Sequence, residues 1–138
     1  MSSEMNSSST SYEKPLSPHL GIYGWPLNMA MSILHRATGV ALSIGLIALT
    51  WLLVAAASGP EKYDQFMEYA THPIGQLFLF GWTVALYFHL FSGVRHLVWD
   101  TGKLFNLRNA KIGGIAVLLA TVIFTALTWW PKLEGWLS

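Results

Sequence analysis

The run MAMSILHRATGVALSIGLIALTWLLVAAA, from Met29 to Ala57, decides how this chain folds. After Arg36 it carries no charge until Glu61, a stretch of 24 residues. At about 1.5 Å of rise per residue, such a stretch as a helix exceeds the ~30 Å hydrocarbon thickness of a bilayer. Two more runs have the same character: 26 uncharged residues between Glu68 and Arg95, and 20 between Lys111 and Lys132. The pattern predicts an all-α integral membrane domain over residues 29–131, with three transmembrane helices at about 29–57, 73–99 and 112–130. Asn28 is placed to N-cap the first helix, Ser58-Gly59-Pro60 to end it, Pro73 to open the second, and Pro131 to stop the third. Between the first two spans, Gly59 to Thr71 reads as a polar loop with one amphipathic turn around Tyr63 to Tyr69.

Composition points the same way. Of 138 residues, 11% are charged and 53% hydrophobic, where a soluble domain carries roughly 25% charge. Three spans leave no room for a separate soluble catalytic domain. The absence of cysteine excludes disulfides, thiolate zinc sites and iron-sulfur clusters held by this chain alone, and the net charge of +1 gives no reason to invoke nucleic acid. Residues 1–14, rich in serine, predict a disordered tail without the features of a signal or transit peptide. Residues 15–28, broken by prolines and glycines, predict an interfacial lead-in with Tyr23 and Trp25 at headgroup level. Residues 132–138 read as a short tail.

Lysine and arginine are unevenly distributed. Lys14, Arg36, Arg95, Lys103, Arg108 and Lys111 fall on one side of the predicted spans, against Lys62 and Lys132 on the other. Cytoplasmic flanks are enriched in positive charge, so the N-terminus is expected in the cytoplasm and the C-terminus in the periplasm. An initiator methionine without a transit peptide points to a bacterial inner membrane, the mitochondrial inner membrane being the alternative.

Ionisable groups at helix depth need a partner or a purpose. His89 is the deepest, about 9 Å of rise from Arg95. A neutral imidazole there suits a haem iron better than a hydrolytic metal, although from position alone a histidine hydrogen-bonded to a neighbouring helix is the commoner case. Gly93, one turn on, would allow close approach of a flat macrocycle or a helix, and His96 continues the stripe. No second histidine is expected at the depth of His89, so a bis-histidine haem would take its other ligand from a partner chain. Ser32 and Arg36, at i and i+4, offer two hydrogen-bond donors suited to a quinone; the plain alternative is that Arg36 snorkels to lipid while Ser32 bonds to its own helix. His35 and Arg36 would suit haem propionates. Arg95 and Asp100 read as a local ion pair or solvated charges, Tyr87, Phe88 and Phe91 as packing residues, and Trp129 and Trp130 as an aromatic belt.

Three ordered blocks carry a resemblance: Pro15-Leu-Ser-Pro-His-Leu-Gly-Ile-Tyr23, Ser32-Ile-Leu-His-Arg-Ala-Thr-Gly39 and His89-Leu-Phe-Ser-Gly-Val-Arg-His-Leu-Val-Trp-Asp100. Together they resemble the cytochrome b membrane-anchor subunits of succinate dehydrogenase, respiratory complex II, in the mitochondrial and alphaproteobacterial branch. Lys14 and Gly24 depart from that pattern, outside the two membrane blocks. The resemblance implies a three-span anchor that bundles with a second small anchor subunit and assembles with a flavoprotein and an iron-sulfur protein. It implies His89 as an axial ligand of haem b, with the second ligand from the other anchor. It also implies Ser32 and Arg36 in the ubiquinone pocket, and His35 with Arg36 near the haem propionates. No residue of the chain is implied to be catalytic by itself. A haem-free structural anchor of a succinate dehydrogenase or fumarate reductase is the other reading.

Overall fold

The computed structural model describes residues 26–102 and 107–137. Four helices follow one another: α1 (Leu27–Ala57), α2 (Pro60–Thr71), α3 (Pro73–Asp100) and α4 (Leu107–Leu137). The expected disordered tail and most of the interfacial lead-in lie outside the described residues. Three stretches are long and apolar enough to cross a membrane: Leu27–Ala57, Pro73–Asp100 and Ala110–Lys132. The all-α, three-span architecture is therefore as expected.

Local chemistry sets most of the boundaries. The Pro26 carbonyl accepts from the amides of Met29 and Ala30, so Pro26 rather than Asn28 is the N-cap of α1. Asn28 already lies in the first turn, and its side chain is used elsewhere. At the far end, Ser58 caps α1, Gly59 takes φ +110°, a region open to glycine, and Pro60 starts the next helix. That next helix corrects the expected polar loop. Residues 60–71 form a continuous 12-residue amphipathic helix, because Glu, Lys, Gln, Met and Ala are sound helix formers and the apolar side finds a partner. Phe66 meets the Trp51 ring of α1 edge-on at 5.0 Å, and Tyr69 lies 5.7 Å from it. His72 then ends α2 and caps α3, accepting from the Ile74 amide at 3.4 Å, as Pro73 opens the second span.

The third apolar stretch, Ala110–Lys132, lies close to the expected 112–130, but the helix that carries it is longer. α4 starts at Leu107 and continues through Pro131 to Leu137, so the expected stop at Trp130 and the short tail after it do not describe this segment. Proline removes one amide donor and disturbs the carbonyl four residues back. Pro131 is the second-last residue of the apolar stretch, so the carbonyl it leaves without an amide donor, that of Leu127, falls near the end of the span.

The spans pack antiparallel in chain order, and α1 and α4 both touch α3. Small residues let the backbones approach. A β-carbon at Gly45 of α1 would overlap the Trp82 indole of α3, so this approach requires glycine. The buried cluster is small: Met31 of α1, Phe88 of α3 and Val117 of α4, with Leu27 and Phe91 packed against it. Most large apolar side chains face outwards, including Ile47 at 72%, Leu77 at 71% and Val122 at 66% exposure. In water such a surface would drive aggregation; in a bilayer it is the ordinary outside of a bundle.

Candidate functional site

Antiparallel packing of α1 on α3 brings the histidines together. The rings of His35 and His89 stack at 4.0 Å between centroids, with 8° between their planes, and His96 stacks on the other side of His35 at 5.2 Å. His35 is thus level with His89, contrary to the expectation that no histidine of this chain shares that depth. The reason is non-local: residue 35 of one helix faces residue 89 of the other. Two rings stacked face to face direct their nitrogens along parallel planes, so they cannot grip one iron from opposite sides. Among the described residues no three His, Cys, Asp or Glu side chains gather in a metal-binding group.

The contacts of His89 determine its tautomer. Its Nδ1 lies 3.0 Å from the His35 carbonyl oxygen, which can only accept, so Nδ1 carries the proton. Nε2 is then the lone-pair nitrogen, and it has no hydrogen-bond partner among the described residues. An imidazole whose Nδ1–H is tied to a backbone carbonyl while Nε2 is free is the usual arrangement of a metal-ligating histidine. The donor set therefore fits a haem iron on this side. Gly93 faces the His35 ring, and a β-carbon there would lie 4.0 Å from it, an ordinary contact. The His35 Nδ1 is buried and has no hydrogen-bond partner among the described residues.

Ser32 and Arg36 share a face as the spacing predicts, and Arg36 Nη2 donates to Ser32 Oγ at 3.4 Å. Arg36 is exposed and Ser32 half-buried. The serine hydroxyl thus keeps its own proton for another acceptor, and most of the guanidinium donors remain available. Both lie within one turn of His35, at the end of the bundle where Arg95 also sits. An almost wholly apolar cleft of about 400 Å³, lined by residues including Leu34, Thr38, Ala85 and Phe88, runs nearby, but neither His89 nor the Ser32–Arg36 pair lines it.

Arg95 is the residue the sequence reading missed. Far from being solvated or paired with Asp100, it is buried at 5% exposure. Its Nη2 donates to Asn28 Oδ1 of α1 at 2.8 Å and to the Ala110 carbonyl of α4 at 3.0 Å, and its guanidinium lies 4.0 Å over the Trp99 ring. One cation on α3 ties the ends of all three spans. The i, i+4 spacing of Arg95 and Trp99 was the one signal of this in the sequence. Thr38 was also missed as a site residue; its hydroxyl is 3.3 Å from His89 Nδ1. Tyr87, Phe91 and Phe124 form an aromatic cluster, with Tyr87 and Thr128 hydroxyls 2.9 Å apart, so they pack as expected. Trp129 stacks edge-on with Phe80, and Trp130, exposed, donates to Glu134.

The profile of the succinate dehydrogenase/fumarate reductase transmembrane subunits matches residues 10–128. The mitochondrial succinate dehydrogenase cytochrome b560 subunit of Bos taurus is 40% identical over 124 residues, covering 85% of this chain and 70% of that protein. The succinate dehydrogenase cytochrome b556 subunit of Rickettsia felis is 36% identical over 118 residues, covering 85% of this chain and 91% of its own. The corresponding b556 subunit of Paracoccus denitrificans is 36% identical over 115 residues, covering 83% and 88%.

Proposed function

This chain belongs to the succinate dehydrogenase/fumarate reductase transmembrane subunit family, and from that premise we propose that it anchors a succinate:ubiquinone oxidoreductase in the membrane, holds one side of a haem b, and forms part of the ubiquinone site. The observation that carries the reading is the His89 imidazole, with Nδ1 fixed on the His35 carbonyl and Nε2 free, next to the Ser32–Arg36 donor pair.

His89 Nε2 is the iron ligand of this chain. Haem b, when bound, would supply a one-electron store. The stacking of His35 on His89 restricts ring rotation, and His35 with Arg36 supports the propionates. A second iron ligand would come from a second small anchor subunit, since among the described residues the His35 ring stacks face to face on His89 and cannot hold the same iron from the opposite side. Ser32 and Arg36 bind and orient ubiquinone by donating to a carbonyl oxygen, and Arg36 stabilises negative charge that develops there during reduction. Succinate is oxidised elsewhere, on a flavoprotein subunit, and electrons arrive through an iron-sulfur subunit; this chain has no cysteine to hold such a cluster. It lies in the bacterial inner membrane with the Arg36 and Arg95 end cytoplasmic, as its charge bias favours.

The test is purification in mild detergent, with identification of co-purifying chains and a reduced-minus-oxidised spectrum. A b-type band lost in His89→Leu, with the complex still assembled, supports the haem site; a complex without such a band means a haem-free anchor. Arg36→Ala is expected to lower quinone reductase activity by about tenfold or more while succinate oxidation with an artificial acceptor persists, consistent with loss of a charge-assisted bond.

A further inference from the structure

Thr38 and Gly39, adjacent on α1, frame the His89 imidazole in a way the proposed function has not used. The Thr38 hydroxyl is 2.9 Å from the Leu34 carbonyl, 2.9 Å from the His35 carbonyl and 3.3 Å from His89 Nδ1. A hydroxyl has one proton and two lone pairs. Donating that proton back to the Leu34 carbonyl leaves the oxygen free to accept from the His89 Nδ1–H, which is then shared between Thr38 Oγ1 and the His35 carbonyl. Gly39 lies under the same ring: a β-carbon there would sit 3.1 Å from His89 Cε1, closer than the ring could tolerate without moving.

We propose that Thr38 is a positioning residue for the haem ligand: its hydroxyl, with the His35 carbonyl, holds His89 in the Nδ1–H tautomer and raises the electron donation of Nε2, while Gly39 leaves the space in which the ring is held. This rests on the reading of His89 as an iron ligand. Outer acceptors of this kind set ligand orientation and basicity, and losing one commonly weakens metal binding by about 10-fold or more. A less basic ligand favours ferrous over ferric iron, so removing the Thr38 oxygen displaces the haem midpoint to more positive values.

The experiment uses the assembled complex in membranes and mild detergent, comparing wild type, Thr38→Val, Thr38→Ser, Gly39→Ala and His89→Leu. Haem content, redox titration of the b-type band and the low-spin electron paramagnetic resonance signal are read, none of which depends on turnover. Thr38→Val, which keeps the side-chain shape, is expected to shift the ferric–ferrous equilibrium three- to tenfold towards ferrous, tenfold being 59 mV for one electron. Thr38→Ser is expected to restore the wild-type midpoint, and Gly39→Ala to change the resonance signal because the ring is displaced. Thr38→Ala replaces the valine variant if that variant does not assemble. An unchanged or lowered midpoint in Thr38→Val, or serine behaving like valine, overturns the positioning role. An intact band in His89→Leu overturns the haem reading itself, and the two failures are thereby distinguished.

Discussion

Separating Arg95 from Asn28 tests whether one buried cation closes the three spans. The contact is an N–H donor of a guanidinium at 2.8 Å from an amide oxygen, with the arginine 5% exposed. In soluble proteins, hydrogen bonds to charged groups contribute about 1.5–3 kcal/mol. Interhelical bonds measured inside a membrane average ~0.6 and reach ~1.7 kcal/mol, because the unfolded chain in the membrane also finds partners. Charge and burial place this bond near the top of the second range, at about 1.5 kcal/mol. Asn28→Ala should cost about that much, since among the described residues it leaves the guanidinium with the Ala110 carbonyl as its remaining acceptor. Arg95→Met should cost more, because it also removes the bond to α4 and the stacking on Trp99, a desolvated cation–π contact of up to about 2 kcal/mol. The double variant leaves neither partner unpaired, so its cost should fall short of the sum by ~1.5 kcal/mol. Denaturation in mixed micelles with rising dodecyl sulfate, followed by far-ultraviolet circular dichroism, gives all four corners of the cycle. Additive single effects, with coupling below ~0.3 kcal/mol, would refute the idea that Arg95 links α3 to α1 through Asn28.

Other outcomes follow from the same contacts. Gly45→Ala places a methyl group on the Trp82 indole and should destabilise the α1–α3 pair by about 1–3 kcal/mol in the same titration, with Trp82→Leu recovering part of the loss. Tyr87→Phe removes the hydroxyl facing Thr128 and should cost only about 0.6 kcal/mol; a cost several times larger would mean that this pair matters more to α3–α4 packing than its partial exposure allows. Because the chain has no cysteine, single cysteines report topology cleanly. Ser58→Cys should react with an impermeant thiol reagent in intact cells, and Thr101→Cys only after permeabilisation; the reverse pattern would invert the proposed orientation.

The three spans were readable because hydrocarbon thickness acts on every residue of a long run, and no tertiary contact is needed to see it. Features set by contacts between distant segments were not readable. Asn28 satisfies the local rule for an N-cap, yet Pro26 takes that position and the amide is engaged by Arg95, 67 positions later. Residues 60–71 lacked a hydrophobic run, so the stretch read as a loop; its helix is completed by Trp51, which belongs to another element. Pro131 was read as a stop from a rule that holds in helix interiors and relaxes where water is near. At the site, His89 and Arg36 stood out because charge or ionisable character is costly at depth, and Ser32 because it lies one turn from Arg36 on the same face. Thr38 did not, because a threonine in a membrane helix ordinarily bonds to its own turn, and its second contact appears only when α3 is laid beside α1.

The thin core of the bundle also bears on the life of the chain in a cell. Only 11%, 17% and 22% of the most apolar stretches of the three spans are buried within the chain. A newly inserted copy therefore gains little from its own helices meeting, and most of what can hold it in one arrangement lies beyond it, in lipid and in neighbouring subunits. Its abundance should therefore follow the supply of those neighbours, with copies made in excess turning over faster than copies that find them.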